Sequence, residues 1–508
     1  MLSRVFSVGV RGIDGYPVLV ELDLANGLPN FTTVGLPDSA VRESRERVTS
    51  AVRNSGFKFP ARRITVNLAP AQSRKQGTQF DLPIALAVLS ASGQVRADEG
   101  WSKRYCFIGE LALDGRLRSV TGALAMATKA KDEGFEALIV PHENAAEVSA
   151  SGMAAYSAGS LTEVVSFING GDLPSVSGSR SSAPIASRSA EDLRDVKGQS
   201  MAKRALEICA AGGHNLLLIG PPGAGKSMLA RRLTTLLPPL TEGEALEATR
   251  VHAACGRKGL VTERPFRAPH HTASAASLIG GGPSCRPGEA ALAHAGVLFL
   301  DELAEFPRPA LEALRQPLEE HKVVVSRAKE TLEYPARFLL VAATNPCPCG
   351  MRGTQGDNAC KCPPPEVGRY LAKLSGPLLD RIDIHVEMPA LDFASWSAPA
   401  EAAPESSAAV RARVEAAREI QRGRLQRRDF AVNAYLTAAE LPRHCALDAQ
   451  GMAVMELAAA RGFSARALDR ALRVARTIAD LAGSASMLKT HVMEAVQLRG
   501  LERLNRLC

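Results

Sequence analysis

No stretch of this 508-residue sequence stays apolar for long enough to cross a bilayer, which excludes a membrane-spanning helix. The opening residues, Met1-Leu2-Ser3-Arg4-Val5-Phe6, lack the apolar centre of a secretory signal, so the expected location is the cytoplasm, with no membrane partner. Cysteine is sparse: 10 residues, scattered except for one cluster. That distribution argues against a disulfide framework and for reduced thiols or a metal. Neither sign of charge dominates. The 61 Lys and Arg against 53 Asp and Glu leave +8, an excess compatible with a polyanionic partner but too small to establish one. What is present is an ordinary globular composition, 46% hydrophobic and 22% charged, in a chain long enough for roughly two to four domains.

The most informative stretch is Gly220-Pro221-Pro222-Gly223-Ala224-Gly225-Lys226-Ser227. It follows an apolar run, Asn215 to Ile219, and precedes the helix-compatible Met228 to Leu233. Strand, glycine loop and helix are the context that makes GxxxxGK[ST] a phosphate site. The glycines let successive backbone N–H groups turn toward one anion, and the helix N-terminus adds its dipole. Lys226 supplies a cation for the β- and γ-phosphates and Ser227 a hydroxyl for magnesium. The sequence therefore predicts a nucleoside triphosphate site with ATP and magnesium.

Val297-Leu298-Phe299-Leu300 reads as a parallel strand covered on both faces, and it ends in Asp301 and Glu302. Ligands sit at the carboxyl ends of such strands. Asp301 is expected to hold magnesium and Glu302 to polarise the attacking water. Phe338 to Thr344 is a further core strand, ending in Asn345, which can orient that water or touch the γ-phosphate. Cys347, Cys349, Cys360 and Cys362 follow in two close pairs, suited either to tetrahedral zinc or to structural thiols. Arg381, in Leu378-Leu379-Asp380-Arg381, is an arginine-finger candidate for a neighbour's γ-phosphate, against the alternative of a salt-bridged core arginine. His270 and His271 lie in a polar segment ending in three glycines. Neighbouring positions point apart on a helix or strand, which makes joint metal ligation awkward. The segment is expected to be a loop inserted into the core, facing substrate or a neighbouring subunit.

Outside this core, residues 1–173 mix strands and helices without a nucleotide motif. Val18–Leu24, Ile64–Leu68 and Ala137–Val140 read as strands, and Asp38–Val52, Leu82–Leu89 and Gly122–Glu133 as helices. Phe107–Leu117 reads as a hairpin closing on Asp114-Gly115. Residues 174–190 and 391–408 are Ser/Ala/Pro-rich linkers, and 409–508 is helical throughout.

Gly109-Glu110-Leu111, Asp114-Gly115-Arg116 and Ile139-Val140-Pro141-His142-Glu143-Asn144 give residues 1–173 a resemblance to the proteolytic domain of Lon and the matching domain of RadA. The fold implied is Lon-protease-like, that of the second domain of ribosomal protein S5. The serine position of the Lon dyad falls near Gln79, and the stretch where its lysine would lie has none before Lys129. The domain is therefore expected to be peptidase-dead and to serve assembly or partner binding.

The whole chain resembles the YifB/ComM family of magnesium-chelatase-like AAA+ ATPases. The resemblance is carried by Gly213-His214-Asn215, Ala268-Pro269-His270-His271-Thr272, Asn345-Pro346-Cys347-Pro348-Cys349-Gly350 and Ala475-Arg476-Thr477-Ile478. It implies an α/β multidomain chain: the Lon-like domain, an AAA+ core with a parallel sheet at 191–390, and a C-terminal all-helical lid. It places Val196 to Gln199 over the adenine, although by spacing alone that stretch reads equally as a loop with a capping glycine. It places Arg466 where AAA+ lids carry a second phosphate-sensing arginine. It also implies a homo-hexameric ring acting on branched or single-stranded DNA, in the recombination step of natural transformation. Arg327 and Lys329, at the tip of the hairpin 323–332, are candidate DNA contacts, against the alternative of solvated turn charge. Two rivals are a chelatase-type ATPase driving metal insertion or remodelling a protein partner, and an ATP-dependent protease, which the missing dyad discounts.

Overall fold

A computed structural model describes residues 1–72, 74–96, 100–176, 191–282, 285–327, 330–353, 359–374, 376–390, 405–425 and 430–499. The chain divides into two compact units, Met1–Pro184 with Glu242–Thr262, and Ile185–Thr241 with Glu263–Cys508.

The first unit is built on β1 (Leu2–Arg11), β2 (Asp14–Ala25), β3 (Asn30–Val34), β4 (Arg63–Ala69), β5 (Tyr105–Phe107), a small hairpin of β6 (Glu110–Leu111) and β7 (Leu117–Arg118), β8 (Ala137–Pro141) and β9 (Ala155–Ala158). The main sheet runs β3-β4-β2-β1-β5-β8-β9. Along β2 the residues Val18, Val20, Leu22 and Leu24 are buried in alternation, which fixes the register against β1 and β4. The hairpin expected over 107–117 is narrower, because Phe107 belongs to the main sheet. Helix Ser39–Asn54 starts at Asp38, whose carboxylate caps the Val41 N–H at 2.8 Å. Helix Asp81–Ala91 is apolar all round and buried. The one charge buried with it, Asp81, takes two bonds from Arg47 at 2.6 and 3.0 Å. Burial nevertheless pushes its carboxyl up to about 6.

Residues 242–262, to which the sequence reading assigned no element, fold with this first unit. Helix Glu242–Ala254 leads to Lys258, whose ammonium donates to the Ser119 hydroxyl at 2.6 Å. At the supposed Lon serine position, Gln79 is buried with its amide donating to the Gln76 carbonyl at 2.8 Å. Lys129 pairs with Glu133 one helical turn on, at 2.7 Å.

The second unit contains β10 (Leu216–Ile219), β11 (Phe266–Arg267), the hairpin β12 (Gly280–Gly281) and β13 (Arg286–Pro287), β14 (Val297–Leu300), the hairpin β15 (Lys322–Arg327) and β16 (Glu330–Pro335), β17 (Leu339–Thr344) and β18 (Ile384–Glu387). Its sheet is wholly parallel, β11-β14-β17-β10-β18. Strands β10, β14 and β17 are buried at every position, as their unbroken apolar runs require.

The C-terminal region of this unit is helical: Ser407–Arg424, Leu441–His444, Ala449–Ala460, Ala465–Leu481 and Lys489–Gln497. The first of these helices begins inside the stretch read as a linker, with Ser406 capping the Ala409 N–H at 3.2 Å. Residues 177–190 and 391–404 of the two linkers lie outside the described residues. A buried polar network ties the helices to the sheet. Asp480 accepts from Arg424, Arg476 and Asn433. Thr477 bonds both Asn433 and the His214 ring, at 3.1 and 2.8 Å. His214 lies 3.5 Å from Asp383, which also pairs with Arg470. Among the described residues no helix is long and apolar enough to cross a membrane.

Candidate nucleotide site

Strand β10 delivers the chain into the glycine loop, and helix Lys226–Leu236 carries it away. Gly223 and Gly225 take φ of +79° and +89°, the left-handed conformation that non-glycine residues adopt only under strain. Gly220 is close-packed in another sense: a Cβ there would stand 2.6 Å from the Met388 carbonyl oxygen. The loop is thereby shaped by glycine at three points, with Pro221, Pro222 and Ala224 filling the turn between them.

Four elements meet at this loop. The Ser227 hydroxyl donates to Asp301 Oδ2 at 2.7 Å, joining the loop helix to the end of β14. The Lys226 ammonium donates to the Gly220 and Pro221 carbonyls at 2.6 and 2.9 Å and to Asn345 Oδ1, beyond β17, at 3.1 Å. Burial lowers the Lys226 pKa, and the carboxylates of Asp301 and Glu302 oppose that shift. Glu302 takes a left-handed backbone, φ +52°, with its N–H donating to Asp301 Oδ1 at 3.0 Å. A hydroxyl and a carboxylate able to share magnesium, a cation, a second carboxylate and an amide are thus gathered at the carboxyl ends of adjacent parallel strands. Chemically, this set can hold polyphosphate with a divalent cation and polarise a water beside it.

The structure adds one residue from the loop expected to face substrate or a neighbouring subunit. His271 Nδ1 lies 2.9 Å from Glu302 Oε2. The segment reaches there because β11 pairs with β14 at Phe266–Val297 and Arg267–Leu298, and because Arg267 is clamped on Glu289 at 2.6 and 2.8 Å. Beyond β11 the chain is neither helix nor strand, so the two histidines do not point apart. Their rings lie 4.0 Å apart, with His270 Nδ1 bonded to the Thr272 hydroxyl at 2.9 Å. The signal was a pair of polar rings following a short strand, but nothing local named Glu302 as the partner.

The other expected residues divide. Gln199 bridges the Ala224 and Pro389 carbonyls at 3.3 and 3.0 Å, which ties its segment to the loop, while Val196 is buried in the apolar core. Arg381 is not displayed: its side chain is 7% exposed and ion-paired with Glu319. It also lies at the amino end of the sheet, where its carbonyl accepts from Asn215 at 3.0 Å, opposite its own glycine loop. Arg466 is exposed in the first turn of helix Ala465–Leu481. Arg327 ends β15, and Lys329 lies outside the described residues.

The four cysteines converge. Their sulfur atoms all lie within 4.8 Å of one another, with Cys347–Cys349 at 3.3 Å and both Cys347–Cys360 and Cys349–Cys360 at 3.6 Å. The Met351 N–H, with the neighbouring thiols, lowers the Cys349 thiol to about 7, whereas burial raises that of Cys347 to about 12.

Comparison with known proteins agrees with this geometry. Residues 192–396 match the family described as magnesium chelatase, subunit ChlI; residues 20–144 match subunit ChlI of Mg-chelatase; and residues 404–499 match the ChlI C-terminal family. The chain is 45% identical over 515 residues to the Competence protein ComM of Haemophilus influenzae, covering 99% of this chain and 98% of that protein. It is 45% identical over 509 residues to the uncharacterized protein YifB of Salmonella typhimurium, with 99% and 98% covered. It is 44% identical over 507 residues to Rv2897c of Mycobacterium tuberculosis, with 98% of each covered. With similarity along its full length and a parallel-sheet core carrying the glycine loop, the chain belongs to the YifB/ComM family of magnesium-chelatase-like proteins.

Proposed function

We propose that this protein is an ATP-hydrolysing AAA+ ring motor that acts on DNA, promoting branch migration and heteroduplex extension during recombination in natural transformation. The observation that carries the ATPase half is the bonded set Asn345–Lys226 and Ser227–Asp301 beside Glu302. The DNA half is supported by full-length similarity to a competence protein and, weakly, by the +8 net charge.

Ser227 and Asp301 would hold magnesium, which would supply charge to offset that of the β- and γ-phosphates. On binding, Lys226 exchanges its loop carbonyls for phosphate oxygens. Glu302 accepts the proton of the attacking water and Asn345 orients that water. Arg381, remote from its own loop, acts on the neighbour's phosphate in a hexamer after leaving Glu319, and Arg466 closes on the phosphate from the helical lid. Residues 1–173 form the Lon-like, peptidase-dead domain and 191–390 the AAA+ core. Residues 409–508 form the lid, with linkers at 174–190 and 391–408. The site of action is the cytoplasm.

Glu302→Gln tests this reading. The variant should bind ATP as tightly as the parent, hydrolyse it at least a hundredfold more slowly and accumulate as an ATP-bound ring. Hydrolysis at the parent rate would remove Glu302 from its role. One second reading has an observation in its favour: the core matches a magnesium-chelatase subunit family. A chelatase-type motor predicts an ATPase indifferent to single-stranded, duplex and branched DNA. The DNA motor predicts stimulation by at least one of them.

A further inference from the structure

We propose that Cys347, Cys349, Cys360 and Cys362 hold one zinc ion as a tetrathiolate, and that this ion fixes the Asn345 side of the nucleotide site. The second part rests on the nucleotide reading above; the first does not.

Geometry and donor chemistry support the ion. A tetrahedral site with metal–sulfur bonds of about 2.3 Å places its sulfurs about 3.8 Å apart. The sulfur pairs here stand at 3.3, 3.6 and 3.6 Å, and all four lie within 4.8 Å of one another, with no disulfide joining them. Backbone N–H groups already point at the sulfurs, from Met351 to Cys349, from Arg352 to Cys347, and from Cys362 to Cys360 at 3.4 Å. Such donors are the outer shell that steadies thiolate ligands. Four thiolates are soft ligands, suited to zinc and unsuited to magnesium or calcium.

The placement supports the coupling. Cys347 and Asn345 are separated by a single residue. Gly350, at φ +79°, packs so closely on the phosphate loop that a Cβ there would lie 2.7 Å from Pro222 Cδ. On the other side, helix Pro364–Ala372 begins just after Cys362, and the Thr344 side chain and Asn345 backbone lie close enough to its Tyr370 hydroxyl to oppose the rise that burial gives its pKa. Both arms of the loop closed by the four sulfurs therefore return to the end of β17. An ion joining the arms holds Asn345 in place against Lys226 from two directions.

The test uses the full chain purified without a metal-binding tag. Elemental analysis should give about one zinc per chain. Replacement by cobalt should produce the thiolate-to-cobalt band in the near ultraviolet and the strong visible bands of a tetrahedral site, and Cys360→Ser should lower the metal content. Stripping with a mercurial and chelator, then removing the mercurial with excess thiol, should lower kcat for ATP about tenfold or more. It should also speed hydrogen exchange over residues 344–350 about tenfold. Zinc should reverse both effects and calcium neither. Protein that arrives metal-free and takes up no cobalt overturns the site. Zinc-loaded protein whose kcat and exchange do not change on stripping overturns the coupling. If the loaded protein hydrolyses no ATP, the ATPase reading fails, while zinc content and exchange still decide both parts.

Discussion

Replacing His271 by alanine removes the one partner that, among the described residues, the segment after β11 gives the Glu302 carboxylate. In this structure the pair is 2.9 Å long, with side-chain exposures of 31% and 53%. Solvent screens a pair this open, so its worth is about 0.5–1 kcal/mol. Releasing it should raise the fraction of Glu302 free to address a water by about two- to fivefold. The expected result is a basal kcat for ATP raised by that factor, with KM unchanged because Lys226 and Ser227 are untouched. His271→Asn, which keeps a donor of similar reach, should stay close to the parent. Steady-state ATPase assays without DNA, alongside matched thermal melts, make the comparison. A lower kcat in His271→Ala, or no change in a well-folded variant, would refute the idea that His271 restrains the carboxylate.

Lys226→Ala should weaken ATP binding by roughly ten- to a hundredfold, the loss of about 1.5–3 kcal/mol of charge-assisted bonding, and a fluorescent nucleotide titration reads this directly. Arg424→Ala should destabilise the second unit by about 3 kcal/mol, since the fully buried Asp480 loses a paired cation and keeps, among the described residues, Arg476 and Asn433. Urea unfolding that shifts by less than about 1 kcal/mol would show that the network tolerates the loss. Burial, with Arg499 nearby, pushes the His385 imidazole down to about 3, so the folded state holds it neutral while the unfolded chain protonates near its usual 6.5. The unfolded state thus binds the extra proton. The stability contribution is complete above pH 6.5 and is lost toward pH 3, at up to about 1.4 kcal/mol per pH unit. His385→Leu should flatten that part of the stability profile, and parallel profiles for variant and parent would contradict the assignment.

The candidate nucleotide site was legible because its signals are local. A strand, a glycine loop and a helix, then an apolar strand ending in two carboxylates, are each written in fewer than about twenty consecutive residues. The thiol cluster was legible as spacing, although only folding shows that Cys360 and Cys362 return to Cys347 and Cys349. What escaped depends on long-range packing. Nothing near residue 271 says that β11 will lie beside β14 and carry a histidine to Glu302. Nothing near Arg381 names Glu319 as its partner. Residues 242–262 sit between two core elements in sequence yet pack with the first unit, because Lys258 and its helix find their partners there. Strand β1 was missed for a different reason: Leu2–Arg11 interleaves serine, glycine and arginine with its apolar residues, so its pattern is diluted although Val5 and Val8 are fully buried.

The central claim, that ATP hydrolysis at Lys226, Asp301 and Glu302 moves branched DNA, is tested most directly with a labelled four-way junction whose arms can migrate to separated duplexes. With ATP and magnesium the parent protein should convert the junction to duplex products. Glu302→Gln should bind the same junction and leave it unconverted. Conversion by Glu302→Gln at the parent rate, or an intact junction after extensive ATP hydrolysis by the parent, would contradict the account.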